Sequence, residues 1–178
     1  PFDYRLHVQW SSGETALLGD AYRYGPLISD ADLHFLAEGS HQRPYEVLGA
    51  HGMALGEGPY RLEGVRFAVW APNASRVSVV GSFNDWDGRR HPMRSRGASG
   101  VWELFVPHVQ SGDLYKFEIR THDGRVLPLK SDPYARQAQL RPQTASIVAG
   151  PLRTPRPLSA ARVQANHRHA PISIYEVH

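Results

Sequence analysis

One loop in the middle of the sequence places a large aromatic residue among turn-forming residues. Residues 77–88 read VSVVGSFNDWDG, a β-branched run followed by a turn that places Trp86 between Asp85 and Asp87. Asn, Asp and Gly suit turn geometry, whereas a tryptophan normally buries a large apolar surface. An exposed indole could stack on the C–H face of a sugar while polar groups bind its hydroxyls. The spacing alone leaves two alternatives open: Trp86 stacks on a sugar, or it caps the end of the core.

A later strand-like run carries Lys116. In residues 114–121, period-two alternation points Tyr115, Phe117 and Ile119 to one side and Lys116 to the outer face of the sheet. Trp70 and Trp102 lie inside other strand-like runs, and we expect both in the core.

Other polar clusters do not suggest catalysis or metal binding. Asp85 and Asp87 are turn residues, which usually bond to the local backbone. His167 and His169 are two residues apart in a proline-rich segment without a third ligand, so we expect them to be solvated. The sequence therefore predicts no metal site, no cofactor and no catalytic residue in this chain.

Residues 58–150 are predicted to form an all-β domain. The predicted strands are 65–71, 76–80, 101–106, 114–121, 125–130 and 144–148, all short and bounded by turn residues. His122-Asp123-Gly124 is a tight hairpin signal. Short strands at regular spacing without intervening helices predict an immunoglobulin-like antiparallel β-sandwich of roughly a hundred residues.

A connector, residues 27–57, is predicted to precede this sandwich. Ser29 resembles an N-cap, Leu33 and Leu36 give a helical stripe, and Gly39 is placed to end a helix of about ten residues.

Strand-like runs also occupy both ends of the chain. Residues 2–10 alternate and lead into Ser11-Ser12-Gly13, which predicts a hairpin, and residues 172–178 form a hydrophobic run after Pro171. A lone hairpin is marginal and an unpaired strand is prone to aggregation. We therefore expect a fragment of a longer chain, in which residues 151–171, rich in proline and arginine, form a linker.

Composition limits the possible partners and compartment. The 178 residues are 41% hydrophobic and include no cysteine, and the sequence has neither a membrane-length apolar run nor a signal pattern. We expect a cytoplasmic protein without a membrane partner. Residues 133–175 carry six arginines and no acid, but no aromatic platforms separate these arginines, so a solvated linker is favoured over nucleic-acid binding.

Several motifs resemble known carbohydrate-active proteins. The stretch 77–88 and Tyr115-Lys116-Phe117 resemble the carbohydrate-binding modules of family 48. Further motifs, in the same order, resemble bacterial 1,4-α-glucan (glycogen) branching enzymes: YEVLGAH (45–51), FAVWAPNA (67–74), WDGRRHPM (86–93), LKSDPYA (129–135) and ISIYEVH (172–178).

The resemblance implies a domain order and an activity. Residues 1–26 would be the last strands of an upstream β-domain, and 172–178 the first strand of a catalytic β/α barrel. The parent enzyme would cleave α-1,4 bonds of glucans and re-attach the chain through α-1,6 bonds, by double displacement on an aspartate nucleophile with a glutamate acid/base. Neither carboxylate would lie in this chain.

The resemblance also assigns the binding residues. Trp86 would be a stacking ring for α-glucan (glycogen, amylose or maltooligosaccharides), and Lys116 would bind sugar hydroxyls. A second stacking tryptophan is expected where this chain has Arg125 and Val126, and an asparagine ligand falls near Ser146. Three alternatives stay open: a non-catalytic glycogen-targeting module, a scaffold without sugar affinity, and the module of a debranching-type enzyme.

Overall fold

The structure is a computed structural model that describes residues 4–151, 157, 159–171, 174 and 176. Within this part, the chain forms ten strands and two α-helices. The strands are β1 (Leu6–Gln9), β2 (Thr15–Leu18), β3 (Gly49–Leu55), β4 (Leu62–Trp70), β5 (Ala74–Gly81), β6 (Arg94–Ser95), β7 (Val101–Pro107), β8 (Leu114–Thr121), β9 (Gln137–Ala138) and β10 (Ser146–Ile147). The helices are α1 (Asp30–Glu38) and α2 (Ala160–Ala165).

Two antiparallel sheets of four strands form a sandwich. Their strand orders are β3-β4-β7-β6 and β5-β8-β10-β9, and β1 pairs with β2 in a separate hairpin. Alternate residues of the central strands meet between the sheets. The core residues include Val65, Phe67 and Val69 of β4, Val77 and Val79 of β5, Leu104 and Val106 of β7, and Tyr115 and Phe117 of β8. The predicted all-β, immunoglobulin-like antiparallel sandwich is confirmed.

The connector helix forms where the sequence predicts it. Ser29 Oγ accepts a hydrogen bond from the Asp32 backbone N–H, and Gly39 ends α1 in the left-handed conformation at φ +73°. Leu33 is buried and Leu36 is partly buried in a second apolar cluster on the outer face of the β3-β4-β7-β6 sheet. This cluster also contains Ile28, Val47, Leu48, Ala68 and Val101. The connector is therefore packed against the sandwich.

A buried carboxylate fixes the start of the connector to the same face. Glu103 of β7 is 1% exposed, and its carboxylate accepts the backbone N–H groups of Leu27 (3.2 Å) and Ile28 (3.1 Å). The Arg96 guanidinium donates to Glu103, and it also lies 3.3 Å from Asp30 Oδ1. A buried charge is tolerated when it is paired and hydrogen-bonded in this way.

Two predicted strands differ from those in the structure. Residues 125–130 follow the edge of β8 through the isolated pairs Arg120–Val126 and Phe117–Lys130, but they form no regular strand. Pro128 explains this difference, since proline has no N–H to donate to a ladder. The predicted strand 144–148 is confined to Ser146–Ile147.

The predicted connector also contains a strand that the sequence prediction missed. β3 (Gly49–Leu55) pairs with β4 along its whole length, so it belongs to the sandwich rather than to the connector. Its two glycines and two alanines give a weak strand signal, which is the reason it was not predicted.

The ends of the described chain hold a hairpin and a short helix. The predicted N-terminal hairpin is present as β1 and β2, paired from Leu6–Leu18 to Gln9–Thr15. Residues 151–171, predicted as a linker, contain α2, which Ser159 caps through the Arg162 backbone N–H. The predicted strand 172–178 lies largely outside the described residues. None of the helices in the described part is long and apolar enough to cross a membrane.

Candidate functional site

The loop after β5 holds Trp86 in an uncommon backbone conformation. A 3₁₀ turn (Ser82–Asn84) follows Gly81, and then Asp85 and Trp86 both adopt the left-handed region at φ +56° and +59°. The Trp86 backbone N–H donates to the Gly81 carbonyl at 3.1 Å, and the Trp86 residue is 38% exposed. Left-handed backbone at a bulky residue is rare and costs energy, and such strain is typical of functional sites.

The buried side-chain amide of Asn84 holds this loop in place. Asn84 is 1% exposed, and its Oδ1 accepts the Gly81 N–H at 2.8 Å. Its Nδ2 donates to the Val79 carbonyl at 2.9 Å and to His91 Nδ1 at 2.8 Å. Burial and the nearby Arg90 lower the pKa of His91, in agreement with a neutral ring whose Nδ1 accepts. These bonds tie both ends of the loop to β5.

Local ion pairs satisfy both aspartates that flank Trp86. The Asp87 carboxylate accepts from the Arg89 side chain at 2.7 and 2.9 Å and from the Arg89 backbone N–H at 2.9 Å. These hydrogen bonds hold the pKa of Asp87 well below its usual range. Asp85 pairs with Arg90 at 2.7 Å. The geometry fits the predicted turn role of both residues, since their partners lie within the loop.

The loop folds back over the outer face of the β5-β8-β10-β9 sheet. A Cβ built on Gly88 would lie 2.3 Å from Glu118 Oε1, so the loop backbone rests on this carboxylate. Ser78 and Val80 point to the outer face of β5, yet both are fully buried, because the loop covers them. Glu118 itself is held at 2.5 Å by Arg76 of β5.

Lys116 occupies the same outer face, as the alternation predicts. Its neighbours Tyr115 and Phe117 are buried in the core, whereas Lys116 is partly exposed and opposite Val80 of β5. Its Nζ donates to Thr144 Oγ1 at 2.6 Å, a contact that sequence reasoning missed because the two residues are 28 positions apart. Val80 lies beside Gly81, to which Trp86 is bonded, so the structure brings the Trp86 loop and Lys116 to one end of one sheet.

Ser146 and Val126, two positions that the resemblance links to sugar binding, carry no sugar-stacking ring. Ser146 is fully buried, and its Oγ accepts the Asp132 N–H at 2.9 Å, so it is no surface ligand. Val126 is 49% exposed and opposite Arg120, whose side chain shares the outer face with Lys116. Val126, one of the two residues where the resemblance implies a second ring, is therefore exposed on the face of Lys116.

Trp70 and Trp102 do not share one environment. Trp102 packs partly buried against the core, and its indole N–H donates to the Ala71 carbonyl at 3.1 Å. Trp70, predicted in the core, is 56% exposed, so that prediction is wrong. The reason is its facing direction: Val69 points into the core, and the next residue must point to the outer face.

A cleft lies away from the Trp86 loop. It encloses about 830 Å³, and its lining includes His51, Arg61, Glu63, His108 and Arg136. Among the described residues that line it there is no Trp, Tyr or Phe, so these residues offer no stacking surface like that of the loop. Among the residues that the structure describes, no three His, Asp or Glu side chains form a potential metal site.

Comparisons with known proteins give several similar solved structures and one matching family. Solved structures similar to the chain include pullulanases from Bacillus acidopullulyticus (22% identity, TM-score 0.45, 58% of this chain and 12% of that one), Paenibacillus barengoltzii (22%, 0.45, 65% and 18%) and Klebsiella pneumoniae (24%, 0.44, 64% and 11%). The chain thus spans less than a fifth of the length of these proteins. The family description carbohydrate-binding module 48 (isoamylase N-terminal domain) matches residues 47–135, which is half of the chain. The chain therefore belongs to carbohydrate-binding module family 48.

Proposed function

We propose that this chain is the α-glucan-binding, N-terminal part of a cytoplasmic glycogen branching enzyme. The observation that carries the binding role is the exposed Trp86, which is held in left-handed backbone beside the sheet face of Lys116. A fixed ring supplies the stacking surface for a glucose unit, and the ammonium group supplies hydrogen-bond donors for its hydroxyls. Both groups are already in place, so little conformational entropy is lost when a glucan binds.

The affinity of this site for a single glucan chain is modest. Stacking of a base on an aromatic ring contributes about 1–3 kcal/mol in nucleic-acid-binding proteins, and a sugar-stacking ring is of the same order. Arg125 and Val126 stand where the resemblance implies a second ring, so that contribution is missing. The module therefore binds short oligosaccharides weakly and guides long glucan chains toward an enzyme.

Retention on an amylopectin affinity gel tests the binding role. Trp86→Ala should weaken retention severalfold with little change in melting temperature, since the ring is exposed and the backbone bonds of the loop remain. Trp10→Ala is the matched control, because Trp10 is 45% exposed on the N-terminal hairpin. Unchanged retention combined with a large loss of stability would identify Trp86 as a core residue.

The proposal for the parent enzyme rests on the five motifs shared with branching enzymes. In it, residues 1–26 belong to an upstream β-domain, residues 27–48 connect it to the sandwich, and the linker 151–171 leads to a catalytic barrel that begins at 172–178. The barrel would contribute the nucleophile and the acid/base, and the module would orient glucan chains toward them. The 178-residue chain alone should then show no activity on amylose.

Debranching is the second candidate activity, because family 48 also includes the isoamylase N-terminal domain. The products formed by the parent polypeptide distinguish the two. Branching of amylose lowers the absorbance of its iodine complex without releasing reducing ends. Debranching of amylopectin releases reducing ends and raises the absorbance of the amylopectin–iodine complex.

A further inference from the structure

The most exposed of the four tryptophans is Trp70, which lies far from the Trp86 loop. Trp70 is the last residue of β4 and is 56% exposed, compared with 45% for Trp10 and 38% for Trp86. It stands on the outer face of the β3-β4-β7-β6 sheet, opposite Val101 of β7. The Trp86 loop covers the outer face of the other sheet, so the two rings lie on opposite faces of the sandwich.

The orientation of the Trp70 ring is fixed. Its Nε1 donates to the Ser99 carbonyl at 3.2 Å. Gly100 adopts φ +71°, and a Cβ at this position would be 3.1 Å from Trp70 Nε1 and 2.7 Å from Pro72 Cβ. The turn at 97–100 is bonded in return to the residue after Trp70, because the Ala71 N–H donates to the Gly100 carbonyl at 2.8 Å. An exposed ring held in one orientation loses little entropy when it contacts a ligand.

The turn beside this ring carries polar residues. The turn that holds Trp70 begins at Arg96. Arg96 forms an ion pair with the carboxylate of Asp30, whose side chain is 99% exposed. Val101, the apolar residue opposite Trp70, is fully buried, so it adds nothing to the surface. A single exposed ring beside a polar turn suits a sugar, whereas the centre of a protein interface usually presents a contiguous apolar cluster.

We propose that Trp70 is a second α-glucan contact, separate from the site at Trp86. This inference rests on the proposed function of the chain. β5 spans eight residues between the end of the sandwich near Trp70 and the end near Trp86. At about 3.3 Å per residue, and with a sheet separation of about 10 Å, the two rings are at least roughly 25 Å apart. Two separated rings on opposite faces can contact two chains of a branched glucan at once and gain from avidity on the polymer.

Nuclear magnetic resonance of the indole N–H groups in the 15N-labelled chain tests this directly. The four tryptophans give four indole signals, which the single Trp→Ala variants assign. Titration with maltoheptaose should shift the Trp70 and Trp86 signals, each with its own saturation curve, and leave the Trp10 signal in place. On an amylopectin gel, Trp70→Ala should reduce retention at least threefold, and Trp10→Ala should not.

The possible outcomes separate this inference from the proposed function. A shift of the Trp86 signal alone, with full retention of Trp70→Ala, would overturn the second contact and leave the first. A shift of the Trp70 signal alone would support the second contact and overturn the Trp86 site. Absence of both shifts would overturn both. Trp70→Tyr keeps a stacking ring and should recover most of the retention, which loss of folding would not allow.

Discussion

The backbone of Gly88 rests on the carboxylate of Glu118, with all three carboxylate atoms within 2.5 Å of where a Cβ would be. Because Arg76 holds this carboxylate at 2.5 Å, Glu118 cannot move without breaking an ion pair. This contact seats the loop that carries Trp86 on the sheet that carries Lys116. The geometry of the candidate site therefore depends on a residue that has no side chain.

Gly88→Ala should displace the loop and weaken glucan retention. The added methyl group forces Glu118 or the loop to shift, and overpacking of this kind costs about 1–3 kcal/mol. We expect a severalfold loss of retention on an amylopectin gel and a lower denaturation midpoint. Gly25→Ala is the matched control, since nothing lies within 4 Å of its Cβ position. Equal behaviour of the two variants would show that the contact at Gly88 does not position Trp86.

Val126→Trp should strengthen glucan binding. Val126 is 49% exposed and opposite Arg120, so a ring there would stand on the outer face with Lys116. An added stacking ring contributes about 1–3 kcal/mol, which corresponds to at least a fivefold gain in retention. Leu140→Trp is the control for non-specific adhesion, because Leu140 is 88% exposed elsewhere on the chain. A similar gain in both variants would argue against a second subsite at this face.

Much of the fold could be predicted because its strands alternate. β8 follows its predicted bounds, and its Tyr115 and Lys116 face the predicted sides, since period two decides which side chains are buried. The helix α1 was predictable because Ser29 and Gly39 mark its ends with chemistry that acts over a few residues.

The remaining features depend on contacts between distant residues. The position of Trp70 in a strand indicated the core, but a residue at the end of a strand reaches solvent when its face is only partly covered. β3 lacks a strong strand signal and forms through its pairing with β4. The contact that positions the Trp86 loop is between Gly88 and Glu118, which are 30 positions apart. No local sequence pattern predicts this contact.

Acidification should loosen the Trp86 loop through His91. Burial, followed by the charge of Arg90, lowers the pKa of His91 from its ordinary 6.5. The stability that the neutral ring contributes is thus present above pH 6.5 and is lost as pH falls through the lowered pKa. Protonation would also replace the Nδ1 acceptor by a donor that faces the Asn84 amide. We expect glucan retention and the denaturation midpoint to fall together between pH 7 and pH 5.

Comparison with two variants separates His91 from other histidines. His91→Gln keeps an acceptor for Asn84 and should flatten the pH dependence of glucan retention. His51, whose pKa is also lowered mainly by burial, lies at the cleft away from the loop. His51→Gln should therefore change the pH dependence of the denaturation midpoint and leave that of retention intact. If His91→Gln kept the full pH dependence of retention, His91 would not be the group that titrates.

Loss of the buried charge at Glu103 should destabilise the whole module. Glu103 holds Arg96 and the backbone of Leu27 and Ile28, and removal of one partner from a buried ion pair costs about 3–5 kcal/mol. Glu103→Gln should lower the free energy of unfolding in urea by an amount near the lower end of this range, because the amide oxygen still accepts one backbone bond.

Asp30→Asn removes the exposed partner of the same arginine and should cost about 0–1 kcal/mol. In the Glu103→Gln variant the segment at residues 27–30 should also become more sensitive to protease, because the carboxylate is what anchors it to β7. Equal stability of the two variants would mean that solvent reaches the Glu103–Arg96 pair.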